Sequence, residues 1–269
     1  MTFIEFEREP DLSGGTLVCA FSGWNDGGEA ASTAAAYLRD RWGATRFARV
    51  DPEDFYDFQV TRPTVRLEGG ITRRIEWPAN DFFHASLPSG EVALLLGIEP
   101  NVRWKTFTRG LADATKQLGV ERVVALGAFL ADVPHSVIPP VAGTSADPEL
   151  ARRLGISASR YEGPTGIVGV AQEAFARAGM EAVSLWAAVP HYLPAGTNPK
   201  AALALVNKLA DFLEVQVETD TLERAAATWE EQVGEIVAQS EELTAYVSRL
   251  EEGLGGREEI GEITTGDSL

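Results

Sequence analysis

The chain has 269 residues, of which 45% are apolar, enough to build one large core. Its 40 acidic and 23 basic side chains give a formal charge of −17, which argues against nucleic acid and against an anionic membrane surface as partners. No apolar run reaches the roughly 18 residues of a membrane span, and the opening MTFIEFEREP lacks the basic and apolar regions of a signal peptide, so a cytoplasmic chain is expected.

In chain order, residues 16–21 form the first apolar run, TLVCAF, which predicts a strand covered on both faces. It contains the lone cysteine, Cys19, expected as a buried inert thiol in a reducing compartment. The turn SGWNDGGEA follows and leads into an Ala-rich helical pattern over 28–41, with Ala31, Ala34, Ala35 and Leu38 on one face. Residues 43–90 mix aromatics, β-branched residues and prolines, and predict a strand, a loop and a hairpin turning at 68–70. Further apolar strands are predicted at 91–97, 122–128 and 182–189, with helices at 102–118, 165–178 and 199–212. Asn198 before Pro199 is a cap followed by a proline at the first helical position, and Asn101 is a possible cap for the helix after Pro100. Gly119 and Gly179 stand where helix C-caps belong. The alternation of strand and helix predicts a doubly wound, mostly parallel α/β sheet over residues 1–213.

Residues 209–269 carry 16 acidic and 3 basic side chains, so the acidity is mainly C-terminal. One heptad row runs through Leu222, Trp229, Ile236, Leu243 and Leu250, and a second through Ala226, Val233, Ser240, Val247 and Leu254. Asp220 with Glu223 is a possible N-terminal capping pair. The seam predicts an acidic helix or, if Gly234 interrupts it, a helical hairpin over 214–256, with a flexible tail at 257–269. Leu222, Trp229, Ile236, Leu243 and Leu250 are the candidate interface, against the domain itself, a second copy or another protein.

Chemistry belongs at the carboxyl ends of the strands. There the glycines of SGWNDGGEA fit neither a dinucleotide fingerprint nor a P-loop, and a helix capped by Asn25 or Asp26 explains them. Glu99 follows the second apolar strand, and His135 lies in the Pro-rich loop after the third. The segment GPTGIVG at 163–169 opens a helix whose amides could meet a ligand. Trp24, Asn25, Asp26, Glu99, His135 and Thr144 form the candidate cleft or ligand-binding set, with no catalytic residue singled out. Three histidines and one cysteine without metal-ligand spacing predict no metal site, and no cofactor is expected.

Three segments, FSGWNDGGEA, LLLGIEPNVRW and GAFLADVPHSVIPPVAGTS, together resemble the proteasome-assembly-chaperone family, of the second-chaperone type and its actinobacterial branch. The resemblance spans about residues 15–210 in order, and the acidic helical tail is also present in that branch. It implies a phosphorylase/hydrolase-like α/β fold, self-association into homo-oligomers such as trimers, protein partners, and a non-enzymatic chaperone-like role. Members that dock on the proteasome end in a hydrophobic residue, a tyrosine and any residue; this chain ends Asp267-Ser268-Leu269. The alternatives are a phosphorylase- or hydrolase-like enzyme, or a nucleoside or nucleotide sensor, using the same strand-end cleft.

Overall fold

The structure, a computed structural model, describes residues 3–69, 71–158, 162–193 and 196–255. The elements run β1 (Ile4–Phe6), β2 (Thr16–Ser22), a 3-10 turn at Gly27–Glu29, α1 (Ala30–Arg41) and β3 (Thr45–Val50). A hairpin of β4 (Thr64–Glu68) and β5 (Thr72–Glu76) precedes β6 (Asn80–Leu87), β7 (Gly90–Ile98), α2 (Trp104–Gln117) and β8 (Arg122–Ala131). Then come β9 (Val141–Ser145), α3 (Pro148–Leu154), β10 (Ser157–Ala158), α4 (Ile167–Arg177) and β11 (Glu181–Pro190). Three helices close the described chain: α5 (Pro199–Leu213), α6 (Asp220–Ala238) and α7 (Glu241–Gly255).

Nine strands form one sheet in the order β1-β3-β6-β7-β2-β8-β11-β9-β10. Its centre, β7-β2-β8-β11, is parallel, whereas β1, β3 and β6 on one flank and β9 on the other pair antiparallel. The doubly wound α/β architecture is therefore parallel in the middle and mixed overall. The central strands are the four apolar runs of the sequence, because helices cover both of their faces. Along β2, Leu17, Cys19 and Phe21 point into one core, with Phe55, Phe107 and Phe175. Val18 and Ala20 point into the other, with Ala31, Ala34, Ala35, Leu38, Leu205 and Leu209. The buried alanines of α1 have no bulk to hold the helix away from the sheet. β6 escapes prediction because it is half-buried: Phe82 and Ala85 face inward among polar neighbours in NDFFHASL.

Two predicted caps are corrected. Asn101 caps no helix; its Oδ1 accepts from the Asp57 amide at 2.9 Å and the Thr61 hydroxyl at 3.0 Å, tying down the 51–61 loop. At the start of α6 the N-cap is Thr219, whose hydroxyl donates to Glu223, and Asp220 is already helical. Asn198 caps α5 through the Ala201 amide at 2.9 Å. Gly119 and Gly179 follow α2 and α4 with φ of +85° and +89°.

The acidic segment bends into two helices at Gln239–Ser240, and Gly234 lies inside the unbroken α6. The residues that α6 buries are Leu222, Ala226, Val233 and Val237, spaced by 4, 7 and 4. That spacing averages close to the 3.6 residues of a straight helix, so a strict seven-residue row drifts off the buried stripe. Leu222 accordingly joins the core against α1 and α5, Trp229 and Leu243 pack at a small cluster with Val233, Val237 and Val247, and Ile236 is 44% exposed. Leu250 is half-buried. The expected turn at Gly70, the side chain of Leu254, the 257–269 tail and the Asp267-Ser268-Leu269 end lie outside the described residues.

Cys19 is fully buried, and burial pushes its thiol pKa up to about 12. Iodoacetamide should leave the folded chain unmodified and label it completely in denaturant, as read by intact mass; rapid labelling of the native protein would contradict a sealed central strand.

Candidate functional site

The turn from Ser22 to Glu29 leaves the carboxyl end of β2 at the centre of the sheet. Gly23 has φ of +145°, and a Cβ there would lie 2.8 Å from the Cβ of Glu99. Its absence lets the Glu99 side chain lie flat against the turn. Glu99 Oε2 accepts from the Trp24 amide at 3.1 Å, and Oε1 accepts from the Ile167 amide at 2.8 Å. Asn25 Oδ1 accepts from the Val168 amide at 3.3 Å. Gly166 precedes these amides, and a Cβ on it would come within 2.0 Å of Asn25 Oδ1. The first turn of α4, whose own N-cap residue has no side chain, is thus satisfied by two residues from other elements. Within GPTGIVG, the amides of Ile167 and Val168 are therefore already occupied by the protein.

Asp26 does the same for α1. Its Oδ1 accepts from the amides of Ala31 at 2.8 Å and Ser32 at 3.2 Å, reaching past the 3-10 turn. Its Oδ2 is buried and has no hydrogen-bond partner among the described residues. Burial raises its pKa, against the lowering effect of the hydrogen bonds from Ser32 and Ala31. Gly28 and Glu29 then bind the start of α5. The Gly28 carbonyl accepts from the Asn198 amide at 2.7 Å, and Glu29 Oε2 accepts from the Thr197 hydroxyl at 2.7 Å.

His135 has partners of its own. Its amide donates to the Tyr192 hydroxyl at 2.7 Å, and its Nδ1 is 2.9 Å from the same oxygen. Lys200 donates to the His135 carbonyl at 2.8 Å and pairs with Glu230 on α6 at 2.7 Å. Burial lowers the pKa of His135, partly offset by Glu230 and Glu251, and burial raises that of Tyr192 to about 12. From α7, Tyr246 donates to Asp132 at 3.0 Å and Glu251 accepts from Ser136. The α6–α7 pair thus covers the loop that carries His135. Nothing in the sequence pairs Tyr192 or Tyr246 with it, since the contacts span 57 and 114 positions of chain.

Thr144 is not at the strand ends. It sits on β9 opposite Ser184, and their hydroxyls are 2.9 Å apart. Asp26 bridges Ala128, whose partner on β11 is Ala187, three positions further along than Ser184. Three residues of strand put Thr144 roughly 10 Å back along the sheet. The structure therefore gathers Asn25, Asp26 and Glu99 on the helix N-termini, sets Thr144 back along the sheet, and gives His135 other partners, Tyr192 and Lys200. Trp24 points outward. It joins Val102, Leu130 and Ile138, all between 47% and 81% exposed, on segments at the same end of the central sheet. Among the described residues, no group of three His, Cys, Asp or Glu side chains could hold a metal ion, and no helix is long and apolar enough to cross a membrane.

The arrangement defines an α/β protein whose strand-end polar groups are committed to helix caps beneath an apolar rim. The chain belongs to the PAC2 family, whose profile matches residues 20–237. It is 47% identical to a PAC2 family protein from Streptomyces avermitilis, with a TM-score of 0.80 over 86% of this chain and 99% of that one. It is 44% identical to a proteasome-assembly chaperone homologue from Mycobacterium tuberculosis, with a TM-score of 0.78 over 86% of this chain and 99% of that one. An archaeal proteasome activator from Pyrococcus furiosus shares the fold at 17% identity, with a TM-score of 0.68 over 87% of this chain and 97% of that one. No curated protein matches the chain.

Glu99→Ala should destabilise the chain by about 1–3 kcal/mol, because the half-buried Ile167 amide and the more exposed Trp24 amide lose a charged acceptor, and Glu99→Gln by less; urea unfolding measures both. Asp26 makes a pH prediction of definite sign. Its folded pKa lies above the ordinary 3.8, so the native state keeps a proton that the unfolded chain has released, and stability falls as pH rises from that value through the folded pKa. Asp26→Asn keeps the capping oxygen without the titration. Its urea midpoint should therefore gain on that of the unsubstituted chain between about pH 4 and pH 7.

Proposed function

We propose that this chain is a non-enzymatic, assembly-chaperone-like protein that binds a protein partner through the rim of its strand-end face, in the cytoplasm. The observation that carries the reading is the inversion of polarity at that face. In a strand-end cleft, carboxylates, amides and helix N-termini face the ligand. Here Asn25, Asp26 and Glu99 face inward on the N-termini of α1 and α4, while Trp24, Val102, Leu130 and Ile138 face solvent. Large exposed apolar side chains gathered at one end of a domain are a feature of protein-binding surfaces, with Trp among the preferred anchors.

The kinship supports the same reading. The Mycobacterium tuberculosis relative is described as a proteasome-assembly chaperone homologue. Proteasome subunits are therefore the first partner to test, and the net charge of −17 suits a basic surface on them. The purified chain should form a stable complex with α or β subunits of the cognate proteasome in size-exclusion chromatography. Leu130→Asp should weaken that complex roughly tenfold or more with no change in thermal unfolding. A folded chain that binds neither subunit type, or binds both equally well with Leu130→Asp and Trp24→Ser in place, would contradict the proposal.

A further inference from the structure

We infer that α7 is a lid over the loop after β8, and that it opens when His135 takes up a proton. The opening is read in the free chain, so it stands whether or not the strand-end rim binds a partner. The hold on α7 is slight. Among its described side chains only Val247 is buried, whereas α5 buries seven residues. Val247 joins a small cluster with Val233 and Val237 of α6, edged by Leu243 and Leu193. The other ties are polar and exposed: Tyr246 donates to Asp132 at 3.0 Å, and Ser136 donates to Glu251. Gln239 and Ser240, between the two helices, are the hinge. A helix that buries so little apolar surface opens at a lower free energy than the domain unfolds.

His135 lies beneath this lid, 8% exposed. Its partners select the neutral imidazole. The Tyr192 hydroxyl accepts from the His135 amide at 2.7 Å, and its own proton goes to Nδ1 at 2.9 Å. Nδ1 is therefore an acceptor, and Nε2 carries the hydrogen. Helix α6 approaches the ring at Gly234, where a Cβ would stand 3.9 Å from Nε2. The charges around the ring come from three helices: Lys200 of α5, Glu230 of α6 and Glu251 of α7. Lys200 and Glu230 pair with each other at 2.7 Å. At the outer edge of the cluster, His191 Nδ1 is 3.2 Å from Asp132, and Arg249 lies over the Tyr246 ring. Burial outweighs the two glutamates and sets the pKa of His135 below its ordinary 6.5.

A proton added at Nδ1 takes the acceptor away from the Tyr192 hydroxyl and puts a charge where burial disfavours it. The closed form therefore binds that proton less well than an open form in which the imidazole meets water. Linkage gives the sign: closure is at its fullest above about pH 6.5 and weakens as pH falls below it. Opening uncovers Val233 and Val237 and releases the loop between Leu130 and Ile138, two members of the apolar rim.

Hydrogen-exchange protection factors of the full chain test the inference. From about pH 7.5 to about pH 5.5, α7 should lose protection several-fold, with about tenfold as the ceiling for one group titrating one unit above the lower pH. The interior of α5 should keep its protection. His135→Asn retains an acceptor for Tyr192 but cannot titrate, so its α7 should be equally protected at both pH values. His135→Gln is the second such variant, with circular dichroism to verify folding. Tyr246→Phe removes one tie, and should lower α7 protection at both pH values while leaving the pH response in place. Equal protection of α7 at both pH values in the unsubstituted chain would overturn the inference. So would a pH response that survives in the folded His135 variants, or a loss of protection that α5 shares.

Discussion

Helix N-termini need acceptors, and in this fold one short turn provides them for several helices at once. The segment from Ser22 to Glu29 supplies Asp26 to α1 and Asn25 to α4, holds Glu99 in place for α4 through the Trp24 amide, and receives the Asn198 amide that precedes α5. Each bond is worth only about 1 kcal/mol net, yet removing an acceptor leaves a buried amide unpaired, which costs more. The layers above and below the sheet are therefore oriented from the same point. α1 and α5 lie on one side and α4 on the other, all referenced to the end of β2.

This constraint also decides what the strand ends can do. Side chains that hold helices in place are not available to a substrate, and a deeply buried carboxylate such as Asp26 serves as an internal cap. The exterior of the same turn is left to Trp24 and its apolar neighbours. On the adjacent side, the acidic helices α6 and α7 close over His135 through Tyr192, Tyr246 and Lys200. Burial disfavours the charged imidazolium there, which fits a packing role for His135 beneath the helices.

Much of this was legible in the sequence where a local rule determines the structure. The four apolar runs are the parallel strands because burial on both faces removes the polar alternation. Asn198-Pro199 starts a helix because both residues act within one turn. The segments that carry the family resemblance lie at the turn after β2, the end of β7 and the loop after β8. What escaped depends on distant partners or on the rest of the fold. Asn101 has the chemistry of a cap, but the 51–61 loop takes its oxygen. The heptad row of Leu222, Trp229 and Ile236 omits the drift of a straight helix, which the spacing of Leu222, Ala226, Val233 and Val237 shows. Thr144 follows the Pro-rich loop in sequence, but β9 carries no strong apolar run, and the antiparallel return of that strand carries Thr144 back down the sheet.

The most direct test of the central claim is amide hydrogen exchange at the start of α4. In the unsubstituted chain the amides of Ile167 and Val168 should exchange slowly, although no residue within their own helix accepts from them. Glu99→Ala should accelerate Ile167 together with Trp24, the two amides that share that carboxylate, while the interior of α4 stays protected. Fast exchange at Ile167 and Val168 in the unsubstituted chain, or no change on removing Glu99, would contradict the account of the strand-end groups as caps.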